Sequence, residues 1–600
     1  MSNALTDMRF IRFLLYEVHN VEEVLEFPFF QDHSRETFDM AIDAAYQLAQ
    51  EVFWPAYQEF DLEGARFDGK QVFLPKAMHE IWRHCKEGGW FAPNVSFDEG
   101  GQQFPLSIFA VSSFLFSCGN TAAAMYVNGT WGAAMLIHKF GCPALQETYM
   151  RKLYAGEWGG TMALTEPDVG TSLGDIKTTA VKAVDGDYYQ ITGTKRFISS
   201  GDHDLSDNIV HPVLARIQGA PPGVKGISLF VVPKYRVNED GSIGEFNDVI
   251  TAGIEHKMGL KGQATATLNL GEHGKCQGWL IGEPNEGLKY MFELMNRARV
   301  FTGIQAVSGA SVAYQAALEY CKERLQGREI TCRDVTSPQI AIIHHADVRS
   351  MLLKQKAFIE GALGMVMFCA KLADCMENTT DEEEKQRINL ILEMMTPCCK
   401  AHFSNVSVES ITQAMQCFGG AGYCEEFPVA QLLRDNKVFS IYEGANGIQA
   451  MDLLGRKVPM EAGGAVRALM MEMGATLAEA ADLEALKDLQ EKVQEAQNEV
   501  IAATMYLGGI GMSGQVNEYI CNATMYLEMF SQLLMGWQHL KQAIVAQRAL
   551  EAGTDEADFY HGIIETARFY INTVLPHAVA SAKILQSNEY TALNYKPEWF

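Results

Sequence analysis

The 600-residue chain carries a formal net charge of −26, with 48% hydrophobic, 20% charged and 10% aromatic residues. A chain this long exceeds the ~250–300 residues at which a single core stops growing, so several domains are expected. The acidic balance argues against nucleic acid and anionic membranes as partners, and a nucleotide-bearing ligand would need a local basic pocket.

Residues 1–45 read as an N-terminal extension with Phe10, Phe13, Leu14 and Val18 at helical spacing. The segment lacks a basic start followed by a cleavage site, so no signal peptide is expected. Residues 46–158 keep a helical pattern, as in FDMAIDAAYQLAQEVFWPAY around the 45/46 boundary, and the turn chemistry of PNVSFDEGGQ interrupts it. Residues 159–285 change texture: YYQITGTKRFIS, GISLFVVPKY and ATLNLGE are short β-branched and aromatic runs broken by Gly, Asp and Asn. Residues 286–457 return to long apolar-periodic helices, with a turn at TSPQIA, and predict an antiparallel bundle. After the linker MEAGGA, residues 458–600 are rich in Ala, Leu, Glu and Lys and predict an additional helical module. The segregation of helices and strands predicts an α+β protein and not an alternating doubly wound sheet.

No apolar run reaches the ~18–20 residues of a membrane span, so no membrane insertion is expected. The 13 cysteines are scattered without a C-x-x-C pair. This points away from disulfides and zinc, toward buried thiols and a cytoplasmic, reducing location. Gly509, Gly511 and Gly514 match G-x-G-x-x-G, but the preceding NEVIAATMYL reads as helix. A dinucleotide fingerprint needs a strand there, so the glycines predict a helix–helix turn with close packing.

Six segments remain. Residues 162–180, MALTEPDVGTSLGDIKTTA, form a hydroxyl- and glycine-rich turn, which by itself suits an ordinary cap or the polar edge of a ligand. Thr194-Lys195-Arg196-Phe197-Ile198-Ser199 is strand-like. Asn296 and Arg299 stand three apart on a helix, and a guanidinium suits a nucleotide phosphate. Glu323-Arg324-Leu325-Gln326-Gly327 and Gln416-Cys417-Phe418-Gly419-Gly420-Ala421-Gly422-Tyr423 follow, the second with glycines that permit close backbone approach. Last comes Ile441-Tyr442-Glu443-Gly444, after Arg434-Asp435; a lone Glu in a helical region is usually solvated.

In this order the segments resemble the signatures of the acyl-CoA dehydrogenase family over roughly residues 40–457. The resemblance implies an N-terminal helical domain, a central β-barrel-like domain, a C-terminal four-helix bundle and, beyond them, an extra helical module. It implies FAD as cofactor, held by Met162, Leu164, Thr165, Gly170, Thr171, Phe197, Ser199, Arg324, Gln326, Gln416, Gly419, Gly420, Ala445 and Gly447. Thr171 stands where the family usually has serine, Phe197 where it has tryptophan and Ser199 where it has threonine, and the phenylalanine expected after Gln326 is missing. In the family the Arg324 and Gly419-Gly420 segments meet the flavin of a neighbouring subunit.

By the same resemblance Thr171, Asn296, Arg299 and Gly444 would touch an acyl-CoA substrate, and Glu443 would be the catalytic base. The backbone N–H of Glu443 and a ribityl hydroxyl would bind the thioester carbonyl, giving a trans-2-enoyl-CoA. No metal is implied, and an electron-transferring flavoprotein would be the acceptor. The extension and the appended module resemble a long subgroup that includes enzymes of methylthiopropanoyl-CoA and fatty-acid degradation. A module covering the face that pairs dimers in shorter relatives would favour a homodimer over a homotetramer. The rivals are an acyl-CoA oxidase, a flavin monooxygenase or nitroalkane oxidase on the same scaffold, which generally departs from the Y-E-G glutamate, and an inactive flavin- or acyl-CoA-binding scaffold.

Overall fold

The structure, a computed structural model, describes residues 5–600. The chain divides into two compact units. One holds Glu36–Phe104 and Ser112–Ala298; the other holds the residues up to Arg35, Pro105–Val111 and Arg299–Phe600.

The first unit is built round a closed sheet. Strand Tyr189–Ser199 pairs with Gln277–Ile281, which pairs with Ile227–Pro233, which pairs with Ile209–Ile217. Thr179–Lys182 closes the ring by pairing parallel to Ile209–Ile217 and antiparallel to Tyr189–Ser199. Closure removes free edges and encloses an apolar core. That core contains Ile191, Ile198, Val213, Phe230, Val232 and Leu268. The β-barrel-like domain implied by the resemblance is present.

The strand Tyr189–Ser199 also pairs on its other side with Thr265–Leu270, and the register slips there. Ile198 faces Ala266 and Lys195 faces Leu268, so Arg196 and Phe197 together oppose Thr267. This is a β-bulge: one extra residue bends the strand and re-aims a side chain.

Helix Leu106–Phe140 corrects the expectation from apolar runs. It is long and apolar enough by composition to cross a membrane, and 94% of its most apolar window is buried inside the protein. The Ser and Thr residues that interrupt the run, such as Ser112, Ser113 and Thr130, are buried with it. At Asn120 the backbone leaves helical geometry, and Asn120 Oδ1 accepts the Ala123 N–H at 3.2 Å, capping the second stretch.

The second unit is helical. Gly287–Glu323 enters it at Arg299, followed by Ala346–Asn378 and Glu382–Phe418. The module after residue 458 supplies Gly464–Ala481, Lys487–Met512, Ala523–Glu551, Ala557–Thr573 and Leu575–Leu585. Ala523–Glu551 is the central element. Its Trp537 is fully buried, donates to Thr476 Oγ1 at 2.8 Å and meets Phe368 edge-on. His539 Nε2 lies 2.9 Å from the Ala357 carbonyl and Gln542 Nε2 donates to the Glu360 carbonyl at 3.1 Å, docking the module on helix Ala346–Asn378. The N-terminal extension joins this unit: Phe13 packs edge-on against Phe559 and Tyr560, and Arg9 pairs with Glu556 at 2.9 Å.

Two further expectations change. Gly514, at φ +85°, makes the expected turn between helices Lys487–Met512 and Val516–Ile520, but Gly509 and Gly511 lie within the first helix, and of the three only Gly511 is closely packed, against the Tyr519 ring. The thiols are not all buried either: Cys142, Cys332 and Cys424 are exposed because they sit in turns and loops outside the packed helices.

Candidate active site

The expected flavin and substrate residues fall on both units. In the barrel unit the loop after Gly159–Gly160 lies along the outside of the sheet. Ala163 is buried and bonded to the Pro212 carbonyl, while its neighbours Met162, Leu164 and Thr165 are half-buried. The Thr165 carbonyl accepts the Arg196 N–H at 2.9 Å, which ties this loop to the bulge.

Glu166 is the latch of the loop. It is 4% exposed and accepts from Lys195 Nζ at 2.9 Å, Thr178 Oγ1 at 2.6 Å and the N–H groups of Thr178 and Lys177 at 3.1 and 2.6 Å. Lys195 is fully buried and also donates to the Leu164 carbonyl at 2.9 Å. Burial pushes the Glu166 carboxyl up, but the Lys195 charge and these hydrogen bonds override it and hold it below its ordinary value. Burial pulls the Lys195 ammonium down to about 8, opposed by Glu166.

Beside the latch, Phe197 has φ +59° and its ring is 54% exposed. A bulky residue at positive φ is uncommon and costs free energy that the bulge and its neighbours must offset. The result is an exposed aromatic two residues before half-buried Ser199; Gly170 and Thr171, on the loop after Glu166, are exposed as well. An outward aromatic with hydroxyls and an uncrowded glycine fits the expected flavin contacts. Asn296 is half-buried on helix Gly287–Glu323.

In the helical unit, Arg324 and Gln326 are exposed on a loop pinned by its backbone, with Gln326 N–H on the Ile340 carbonyl at 2.9 Å and Ile342 N–H on the Arg324 carbonyl at 2.8 Å. Gln416, Gly419 and Gly420 are exposed at the end of helix Glu382–Phe418, and an added Cβ at either glycine would meet nothing within 4 Å. Gly419 has φ +59°. Open backbone of this kind leaves room for a dinucleotide.

Glu443 sits in the turn before helix Asn446–Asp452. It is half-buried with φ +56°, and Gly444 follows at φ +87°. A Cβ at Gly444 would lie 2.5 Å from the buried Gln449 amide, so only glycine fits. Tyr442 anchors the turn by donating to Gln305 Oε1 at 2.9 Å. Among the described residues neither the carboxylate nor the backbone N–H of Glu443 has a hydrogen-bond partner. Burial pushes its carboxyl up, with the Arg299 and Lys400 charges opposing, and the net shift is upward. Ala445 is half-buried and Gly447 exposed on the far side of the turn.

Arg299 departs from the expected nucleotide contact. It is 5% exposed and pairs with Asp452 at 3.3 Å, because helix Asn446–Asp452 brings that carboxylate against it. Its guanidinium charge acts on the Glu443 carboxyl instead of facing solvent.

Sequence reasoning missed three members of this neighbourhood: Lys400, Asp452 and Asn446. Lys400 is fully buried and donates to the Gly444 carbonyl at 2.7 Å and to Asn446 Oδ1 at 2.9 Å. Its signal was a lysine within the otherwise apolar run MMTPCCKAHF of a helix.

Relatives bear on this arrangement. Residues 35–157, 161–272 and 285–458 match the N-terminal, middle and C-terminal domains of acyl-CoA dehydrogenases, and residues 469–596 match the domain described as acetyl-CoA dehydrogenase C-terminal like. The chain is 34% identical to a butyryl-CoA dehydrogenase of Syntrophomonas wolfei, over 100% of this chain and 99% of that one. The chain belongs to the acyl-CoA dehydrogenase family. As a member, it is an FAD-dependent oxidoreductase acting on the CH–CH bond of acyl-CoA thioesters. It is also 33% identical to the 3-methylmercaptopropionyl-CoA dehydrogenase of Ruegeria pomeroyi, over 94% of this chain and 95% of that one. The structure of an acyl-CoA dehydrogenase complexed with FAD from Bacillus anthracis shares the fold of this dehydrogenase with a TM-score of 0.72 at 20% identity, over 97% and 92% of the two chains.

Proposed function

We propose that Glu443 is the base that removes the α-proton of the acyl-CoA substrate. The observation that carries this reading is a carboxylate with no hydrogen-bond partner among the described residues, held in a left-handed turn with its pKa raised. A raised pKa makes a carboxylate a better-matched base for a weakly acidic carbon. The N–H of Glu443 is equally unengaged, which supports it as a donor to the thioester carbonyl as negative charge builds there. Gly444 keeps the turn uncrowded. The chemistry that bound FAD would supply is that of a hydride acceptor for the β-carbon. In the barrel unit Phe197 and Ser199, aimed by the bulge, would orient the flavin ring; in the helical unit Arg324, Gln326, Gln416, Gly419 and Gly420 would contact the dinucleotide held by a neighbouring subunit.

Glu443→Gln tests the assignment. The variant should keep its flavin absorbance and bind acyl-CoA, while turnover falls by ~10³-fold or more. Normal turnover would refute the reading.

The acyl group we propose is a fatty acyl or methylthiopropanoyl chain, and a panel of thioesters assayed with a dye acceptor would identify it. We propose an electron-transferring flavoprotein as acceptor; peroxide formation without added acceptor would instead identify an oxidase. The docking of the module on helix Ala346–Asn378 supports a homodimer over a homotetramer, which sedimentation would distinguish. A cytoplasmic location is proposed on the unpaired thiols and is checked by fractionation.

A further inference from the structure

The turn that carries Glu443 has two consecutive residues in left-handed backbone geometry, at φ +56° and +87°. For glutamate such a conformation costs about 1–2 kcal/mol and persists only where the surroundings over-determine it. Part of those surroundings comes from Gln305 and Gln449, which hold Tyr442 and crowd Gly444, and the rest from helix Glu382–Phe418. Lys400 Nζ reaches the Gly444 carbonyl at 2.7 Å and Asn446 Oδ1 at 2.9 Å, gripping the chain just after the base. Asn446 is fixed in return: its Nδ2 donates to the Ala401 carbonyl at 3.0 Å, Ser404 Oγ at 3.0 Å and Asn405 Oδ1 at 2.7 Å.

A fully buried ammonium is costly to desolvate, and a neutral amide would supply the same hydrogen bonds more cheaply. The charge therefore needs a second reason. Glu443 provides it, because Lys400 and Arg299 are the two cations that act on that carboxylate. The remaining charged groups nearby act mainly on Arg299: Asp452 and Arg456 after the turn, and Glu393 on the same helix as Lys400.

We propose that Lys400 is a positioning residue for proton abstraction, which clamps the Glu443 turn through Gly444 and Asn446 and supplies part of the positive charge that keeps the base ionised. This rests on the reading of Glu443 as the base. Burial draws the Lys400 ammonium down to about 8, with Glu443 opposing, as expected of two groups that sense each other.

Lys400→Met removes both clamp and charge, and Lys400→Gln keeps a donor without the charge. Both are measured as FAD-loaded full-length protein, with FAD content and thermal midpoint as folding controls. Turnover of Lys400→Met should fall ~10–100-fold with KM little changed, as for a misplaced catalytic group. The acid limb of kcat/KM should move to higher pH in both variants, because a cation that lowers the carboxyl's pKa is gone. Lys400→Gln should recover part of the lost kcat while keeping the displaced limb. An unmoved acid limb in FAD-loaded variants overturns the proposal. So does loss of fold and FAD in both, which would make the lysine a packing residue. If Glu443→Gln is inactive while the Lys400 variants keep the native limb, only the present proposal fails. If Glu443→Gln is active, the base assignment fails first.

Discussion

Two fully buried lysines, Lys195 in the barrel unit and Lys400 in the helical unit, each have a glutamate neighbour and each is drawn down to about 8. Their partners behave in opposite ways. Glu166 takes Lys195 directly, adds donors from Thr178 and Lys177, and is held below its ordinary pKa. Glu443 receives no hydrogen bond from Lys400, whose protons go to a carbonyl and an amide oxygen, and it is held above its ordinary pKa. The difference is saturation. A carboxylate whose lone pairs are filled is a structural anchor, whereas one that feels positive charge without direct bonds keeps its lone pairs for a proton. Residue types and the burial of the two lysines are alike at the two sites, and the acceptors of the lysine protons differ.

The sharpest test of this contrast is Glu443→Gln, with turnover down ~10³-fold or more and little change in the thermal midpoint. Glu166→Gln should do the reverse in kind. It leaves Lys195 buried without its counter-charge, so stability should fall by ~3–5 kcal/mol in a urea titration. In whatever fraction retains FAD, the acid limb of kcat/KM should stay in place.

A smaller effect is the pH dependence of stability. Glu166 binds its proton less readily folded than unfolded, so its contribution is full above its ordinary value near 4.5 and is lost as pH falls through the lower folded value. Urea midpoints taken from neutral into acid should decline less steeply in Glu166→Gln than in the native chain. The smallest effect belongs to an exposed version of the same pairing. Arg9 and Glu556 are 29% and 52% exposed, and loss of that pair in Arg9→Ala should shift the urea midpoint only slightly, because water and salt screen it. A larger shift would mean that Arg9 also contributes through Glu17 at 2.8 Å, Tyr560 at 3.0 Å or its stacking over the Phe559 ring at 4.2 Å.

Much of the site was legible because its peptides need particular residue types. Gly419 and Gly444 adopt positive φ, and Gly444 has no room for a Cβ against Gln449, so the glycines of the two motifs are visible in sequence. Glu443 was legible through the Y-E-G match, not through any property of its own. Phe197 was read as a flavin contact, but nothing in the strand pattern showed that a bulge turns it outward, since a register slip depends on the partner strand. Arg299 was placed at the nucleotide because an arginine in an acidic chain suggests phosphate; the nearby Asp452, 153 residues later, redirects it. Helix Leu106–Phe140 escaped notice as one apolar element because Ser, Thr and Gly interrupt its run, and whether these are buried depends on what packs round them.

By itself the sequence determined the segregation of helices and strands, the order of the motifs and the family they belong to, because these follow from local periodicity and from backbone positions that admit few residues. Tertiary structure alone decided which carboxylate is saturated with hydrogen bonds and which is left without them. That depends on where two buried ammonium groups send their protons, and the oxygens that receive them, Glu166 Oε1 and the Leu164 carbonyl for one and the Gly444 carbonyl and Asn446 Oδ1 for the other, lie 29 to 46 residues away along the chain.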